Sequence, residues 1–495
     1  MKNFLKYIFM LTVITLIASC SEDYLDVNVD PNNPVTVGPE LVLPVAQTYT
    51  AIYIQTDRRC NTFGNLMMYN WSQSDGYSWY SDEFKYNITT SFYANIFNVA
   101  YRDALKQYNV LDLLGPEFDY YKAISKIMKS FHFQILVDTY GDVPYSEALG
   151  RSLNPTPKYD DAQTIYEDLI VQLTAAISLI DNASDAAVMP ENDDIMFGGD
   201  MTMWKKLANT IKLRILVRQS DISGRGAYIQ EKINEILAEG SGFITTDVSV
   251  NPGYLQEVDK QNPLWDSYKK DAAGTDVMNG LATCATPFVL DLLTATNDPR
   301  IDRIYEKPAT GHLGVVQGLL DYDTPVVDAY MPDKVSNIGP GILQSADMNA
   351  VIFALSESYF NQAEAALKGY LSDAPKDLYE MGITASFEYL GLEAADASAY
   401  YSQIMAKVGW NVTPEADRLE TIITQKWIAL NGIDAIQSWF DYNRTGFPSD
   451  LPISELASTP DRPVRLFYPA GELSSNKENV PSQPDGFTEK VFWAQ

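Results

Sequence analysis

Aromatic rings set among small polar residues are the clearest candidates for chemistry in this chain. They stand in Trp71-Ser72-Gln73-Ser74-Asp75-Gly76-Tyr77-Ser78-Trp79-Tyr80-Ser81-Asp82. No helical or strand period would bury Trp71, Tyr77, Trp79 and Tyr80 together. Such rings suit the apolar C–H faces of sugars, while Gln, Ser and Asp satisfy hydroxyls. The competing reading is that some of the four pack under the loop. A second candidate is Asn262-Pro263-Leu264-Trp265-Asp266-Ser267-Tyr268, with Trp265 and Tyr268 as the rings and a structural role open for Trp265.

A different chemistry is written at Ile17-Ala18-Ser19-Cys20. Lys2 and Lys6 make a positive n-region, and Tyr7 to Ile17 an apolar stretch too short for an ordinary membrane span. Small residues before a cysteine suit a lipoprotein peptidase, and the Cys20 thiol is the group that takes the lipid. The alternative is an ordinary signal peptide followed by a coincidental cysteine; the spacing favours lipidation. The expected division is a signal peptide at 1–19 and one domain over 20–495, which opens with a polar tether at about 20–40. No other segment is long enough to span a membrane, so anchoring falls to acyl chains.

Catalysis finds little support. Two histidines, His132 and His312, lie in unlike contexts, which argues against a His-based zinc site or a Ser-His-Asp triad. No nucleophile elbow, phosphate loop or metal-ligand cluster occurs. With 65 acidic residues, a glycosidase carboxylate pair cannot be singled out. Glu191 to Asp200 is oxygen-rich but lacks EF-hand spacing; a surface turn is preferred, with calcium as the alternative. No catalytic residue, metal or cofactor is assigned. The net charge is -29; without Lys2 and Lys6, 34 basic residues face 65 acidic ones, near -31. That field repels phosphate backbones and excludes nucleic acid as a partner. Cys60 and Cys284 remain, and their pairing is open.

Helices must position these groups. Tyr93, Phe97, Ala100, Ala104, Tyr108 and Leu111 recur at steps of three and four, and Gly115-Pro116 ends that run. Further runs carry Ile124 to Ile135, Ile165 to Ile180, and Trp204 to Ile215. Residues 347–369 place Ile352, Leu355, Tyr359, Ala363 and Ala366 on one face. Asp373 before Pro375, and Thr413 before Pro414, read as helix caps. Gly141 and Pro144 mark a structural turn. The basic run Lys205, Lys206, Lys212, Arg214 and Arg218 is expected to pair with carboxylates of neighbouring helices, with an anionic-ligand site as the alternative. Asp298 is expected to form with Arg300 a local ion pair that fixes a loop, with a ligand contact as the alternative. The fold class is mostly α, in tetratricopeptide-like helix pairs. Long irregular insertions at about 60–88, 140–160, 240–345 and 440–495 form the face that carries function.

Several motifs also stand in a telling order. Asp138-Thr139-Tyr140-Gly141-Asp142-Val143-Pro144-Tyr145 precedes Pro157-Lys158-Tyr159-Asp160, then Trp204-Lys205-Lys206-Leu207 and Asn297-Asp298-Pro299-Arg300. Tyr359 with Ala363-Glu364-Ala365, then Gln425-Lys426-Trp427, Trp439-Phe440-Asp441 and Arg444-Thr445-Gly446-Phe447-Pro448, follow. Arg465-Leu466-Phe467-Tyr468-Pro469, with Glu472 and Asn476, closes the set. The chain resembles the SusD/RagB family of nutrient-binding outer-membrane lipoproteins, in its SusD-like branch. The resemblance implies four tetratricopeptide-like helix pairs and an irregular ligand-facing side. It implies a cell-surface lipoprotein that captures oligosaccharide or peptide and delivers it to a TonB-dependent (SusC-like) outer-membrane barrel. A surface glycoside hydrolase, and a ligand-free scaffold, are the alternatives.

Overall fold

Leu43, Ala46, Thr50 and Ile54 are all fully buried, and their spacing lays one apolar stripe along α1 (Pro39–Gln55). The computed structural model describes residues 37–150, 153–320 and 325–494, so the signal segment and Cys20 lie outside the described residues. After α1 come α2 (Cys60–Met67), β1 (Trp71–Gln73), α3 (Ser81–Lys85) and α4 (Asn95–Val99). The helix continues from α4 through a π turn (Ala100–Leu105) into α5 (Lys106–Asp112). Gly115 then breaks the helix before α6 (Asp119–Tyr140), which is buried on every side from Ser130 onward, and β2 (Val143–Pro144) and β3 (Tyr159–Asp160) pair antiparallel after it. The run read as one α-helix over 93–111 is thus interrupted: Tyr93 precedes it with φ +48°, and the π turn sits in its middle.

Helices α7 (Ala162–Asp181) and α8 (Met201–Arg218) each begin on a working cap. Asp161 accepts from the Thr164 N–H at 2.8 Å, and Asp200 from those of Thr202 and Met203. Next come α9 (Gly226–Glu239), β4 (Val248–Val250), α10 (Pro263–Tyr268), α11 (Met278–Ala282) and β5 (Thr283–Ala285). They are followed by α12 (Pro287–Ala295), α13 (Ile301–Ile304), β6 (Ala350–Phe353), α14 (Leu355–Leu367), α15 (Pro375–Tyr389) and α16 (Ala394–Tyr401). The chain finishes with α17 (Arg418–Leu430), α18 (Ala435–Thr445) and α19 (Ala470–Ser475). The pairs α5–α6, α7–α8, α14–α15 and α17–α18 pack side by side and against one another, the expected helix-pair architecture. Short two-stranded ribbons join distant segments: β1 with β5 and β4 with β6, both antiparallel. Buried apolar side chains from Val42 to Ala494 form one large cluster, with a small second one at Cys284, Val315, Leu320 and Val335.

Three local readings are corrected. Ile352 lies in β6 and not on the following helix, because the ladder with β4 captures residues 350–353. Ala354 precedes α14 and Ala374 caps α15 without a side-chain bond, so Asp373 is not the cap. Thr413 donates to the Gly409 carbonyl and accepts from the Lys407 N–H; the helix instead starts through a 3-10 turn at Glu415–Asp417. The structural turn after α6 is present, but Gly141 adopts φ +76° and ψ -119°, outside the left-handed helical region, beneath the Arg465 guanidinium.

Three of the five residues in the basic run pair with carboxylates, while Lys206 and Lys212 form no ion pair among the described residues. Lys205 reaches Asp181 and Glu239, Arg214 reaches Glu357 at 3.5 Å, and Arg218 reaches Asp441 at 2.9 Å. Buried Lys426 meets Asp441 at 2.7 Å, and Arg444 meets Glu364 through two bonds of 2.6 and 2.8 Å. These ions tie α8, α14, α17 and α18 together. Arg300 and Asp298 form a fully buried pair at 2.6 Å, with Arg300 also bonded to Gln425 and Ser386. Cys60 and Cys284 are both buried and unbridged. In the oxygen-rich turn, buried Asp194 accepts from the N–H groups of Met196, Phe197 and Gly199 and from the Trp204 indole. Its lone pairs organise backbone.

Candidate ligand-binding face

The 71–82 loop is pinned at both ends. β1 lies against β5 in the register Trp71↔Ala285, Ser72↔Cys284, Gln73↔Thr283. Past the strand, the Ser74 N–H donates to the Ala282 carbonyl at 2.8 Å and its hydroxyl to that of Leu281 at 2.7 Å. Asp75 receives the Val327 N–H, and its own N–H donates to the Tyr330 carbonyl. The chain then reverses at Gly76, whose φ of +86° is a conformation glycine adopts without a Cβ penalty. At the far end Tyr80 returns to the interior, where its hydroxyl bonds Thr283 at 2.7 Å.

Alternation across this loop sorts the four candidate rings. Trp71 and Tyr80 are buried in the core, 1% and 2% exposed, while Tyr77 and Trp79 are half-buried, Trp79 with part of its surface against the core. Tyr268 is buried as well, its ring 5.2 Å from that of Trp71. The expectation that all these aromatics face a ligand therefore fails for Trp71, Tyr80 and Tyr268. Burial holds the Tyr80 and Tyr268 phenols protonated far above the ordinary range. Trp265 is half-buried on α10, whose first turn is capped by Asn262, and its indole N–H has no partner.

The buried members still serve the exposed ones. Tyr77 and Trp79 meet edge to face, ring centroids 5.6 Å apart. The Trp79 indole N–H donates to Asn279 Oδ1 at 2.8 Å. Asn279 donates in turn to Asp57 Oδ2 at 3.2 Å, and the other Asp57 oxygen receives the Tyr268 hydroxyl at 2.7 Å. A relay from the core thus fixes the rotamer of Trp79, and rigid placement limits the entropy lost when a ligand binds. Asn279 and Asp57 were not singled out from sequence. They lie 200 and more positions from their partners, so no local pattern announces them. Met278, beside Asn279, is 63% exposed and extends the apolar surface. The face offers two fixed rings with amide and carboxylate groups behind them, an arrangement suited to stacking an amphipathic ring.

Comparison with known proteins places this architecture. The family described as starch-binding and associating with the outer membrane, SusD-like in type, matches residues 31–469. A chitin-binding protein of known structure is 24% identical, with a TM-score of 0.71, covering 92% of this chain and 100% of its own. A chitin-binding SusD homologue from Flavobacterium johnsoniae is 19% identical, with a TM-score of 0.74 and coverage of 92% and 98%. A SusD homologue from Bacteroides uniformis is 22% identical, at the same TM-score, with coverage of 92% and 99%. No curated protein matches. Among the described residues, no helix is long and apolar enough to cross a membrane. The extent of the family match and the shared helical fold lead to one conclusion: this chain belongs to the SusD-like family.

Proposed function

We propose that this protein is a cell-surface glycan-binding lipoprotein that captures oligosaccharide on the Tyr77–Trp79 face and passes it to a TonB-dependent barrel. The observation that carries the reading is the doubly pinned loop that fixes these two half-buried rings edge to face while Trp71, Tyr80 and Tyr268 are buried within. Chitin-binding relatives with the same fold favour a glycan over a peptide. Cys20 is the proposed lipid attachment, behind a tether that ends at α1, and the mature chain acts as one body. It works by binding and not by hydrolysis.

A stacked aromatic is worth roughly 0.5–1.5 kcal/mol beyond its buried area. Tyr77→Ala with Trp79→Ala should therefore weaken binding of chitin or starch oligosaccharides by about tenfold or more. Titration calorimetry on the Cys20→Ala protein, with a thermal melt of each sample, measures this. Unchanged affinity in a folded double variant removes the face from the site. Co-purification from detergent-solubilised envelopes tests the transporter, and repeated isolation without a barrel counts against delivery.

A further inference from the structure

The π turn at Ala100–Leu105 forms one wall of a cavity of about 330 Å3, away from the loop that carries Tyr77 and Trp79. π turns are rare and concentrate at functional sites, because i→i+5 bonding brings residues five apart, here Tyr101 and Lys106, toward one line. The cavity lies within the size range of small-ligand sites. Its floor is aromatic: the Phe97 and Tyr101 rings sit 4.8 Å apart, and the Tyr101 hydroxyl is spent on the Pro144 carbonyl at 2.6 Å. The lining also includes the turn after Pro144, where Leu149 is held at φ +64°, a costly conformation for a non-glycine residue.

The rim decides the ligand class. Lys106 has no ion-pair partner among the described residues, and the Asn109 amide N–H2 is uncommitted, so donors stand on the helix side. Glu472 lines the same cavity. One of its oxygens, Oε2, accepts from Tyr159 and Asn476, leaving Oε1 as a free acceptor. A purely apolar ligand would strand these groups. The other cation in the lining, Arg102, is spent on Asp103, so an anionic ligand would meet the Glu472 carboxylate with Lys106 as its one unpaired counter-charge among the described residues. Sugar hydroxyls both donate and accept, and a pyranose presents an apolar face to a ring. We infer that this pocket is a second, separate carbohydrate site that takes one neutral pyranose ring, seated on Tyr101 and hydrogen-bonded by Lys106, Asn109 and Glu472.

The inference does not depend on the Tyr77–Trp79 reading, and the experiment keeps the two apart. Probes are the methyl glycosides of glucose, galactose, mannose and N-acetylglucosamine at millimolar concentration, followed by saturation-transfer NMR on the Cys20→Ala chain. In the Tyr77→Ala, Trp79→Ala background at least one probe should still bind. That signal should weaken by about tenfold or more when Lys106→Ala and Glu472→Gln are added. Ala148→Trp, which fills the cavity from its wall, should give the same loss. A melt on each sample certifies the fold, and the two pocket variants alter different sites, so a failure of one to fold leaves the other as the test. No probe bound by the folded background variant, or binding indifferent to both pocket changes, overturns the second site. Oligosaccharide binding that survives loss of the face but not of the pocket would sink the face and keep the pocket.

Discussion

Asp434 is fully buried, and neither of its carboxylate oxygens has a hydrogen-bond partner. Burial, reinforced by Glu357, pushes its pKa from 3.8 up to about 8. Between those values the folded protein holds a proton that the unfolded chain has released. Stability at this site is therefore fullest near and below pH 4 and is lost as pH climbs toward 8. Asp434→Asn removes the titration while keeping the shape. Its melting temperature should exceed that of the parent by a margin that widens from pH 5 to pH 8, growing by roughly 1 kcal/mol per pH unit in free energy. Calorimetry over that range measures it, and a margin that stays flat with pH would show the carboxyl ionised in the fold. Such a residue cannot be picked out of 65 acidic ones by sequence, since what distinguishes it is the missing partner. The same holds for the loop aromatics. Trp71, Tyr77, Trp79 and Tyr80 stood out by type, yet pairing with residues 283–285, far along the chain, decides which turn inward. By contrast Asp298 and Arg300 are legible as a pair because only Pro299 separates them in the chain.

Helix packing depends on two kinds of contact, close backbone approach and buried charge. At the crossing of α2 and α18, a Cβ on Gly64 would lie 2.1 Å from the Ala435 carbonyl carbon and the Ile436 nitrogen. Backbone cannot give way as a side chain end does, so Gly64→Ala must separate the two helices. A loss of about 1–3 kcal/mol or more in urea unfolding is expected, although alanine favours helix in isolation. An unchanged midpoint would mean that the helices are not in contact there. Nearby, Asp441 serves Arg218, Lys426 and Arg444 at once, and these cations hold its pKa well below the usual carboxylate range despite burial. Its contribution is present above that ordinary range and disappears as pH falls through the folded value. Asp441→Asn strands buried cations and should cost about 3–5 kcal/mol at pH 7. Removing the exposed Lys260–Glu257 pair should cost about 1 kcal/mol or less. Equal losses in the two variants would contradict a buried network. Periodicity exposed the helices because 3.6-residue repetition is a local property. The β4–β6 ladder escaped it, since the pairing of residues 350–353 depends on a segment about a hundred positions earlier.

At the scale of the whole molecule, charge and anchoring oppose each other. The chain carries -29 overall, so its surface is repelled by anionic headgroups, and no described helix can cross a bilayer. That charge disfavours adhesion to anionic headgroups, and acyl chains at Cys20 are the proposed means of attachment. Between Cys20 and the start of α1 at Pro39 a fully extended chain would span on the order of 60 Å, the upper bound on how far the proposed anchor can stand from the helical body. The two modes of attachment respond to salt in opposite ways. An electrostatic surface contact weakens as ionic strength shortens the screening length, whereas acyl insertion does not. Wild-type protein should therefore stay with the outer membrane through a wash in 1 M salt, and Cys20→Ala should move to the soluble fraction at any salt concentration. Labelling with radioactive palmitate should follow the same division. Retention of the unlabelled Cys20→Ala variant on the membrane in low salt, with release in high salt, would show that the body adheres by charge, and the lipid reading would be lost.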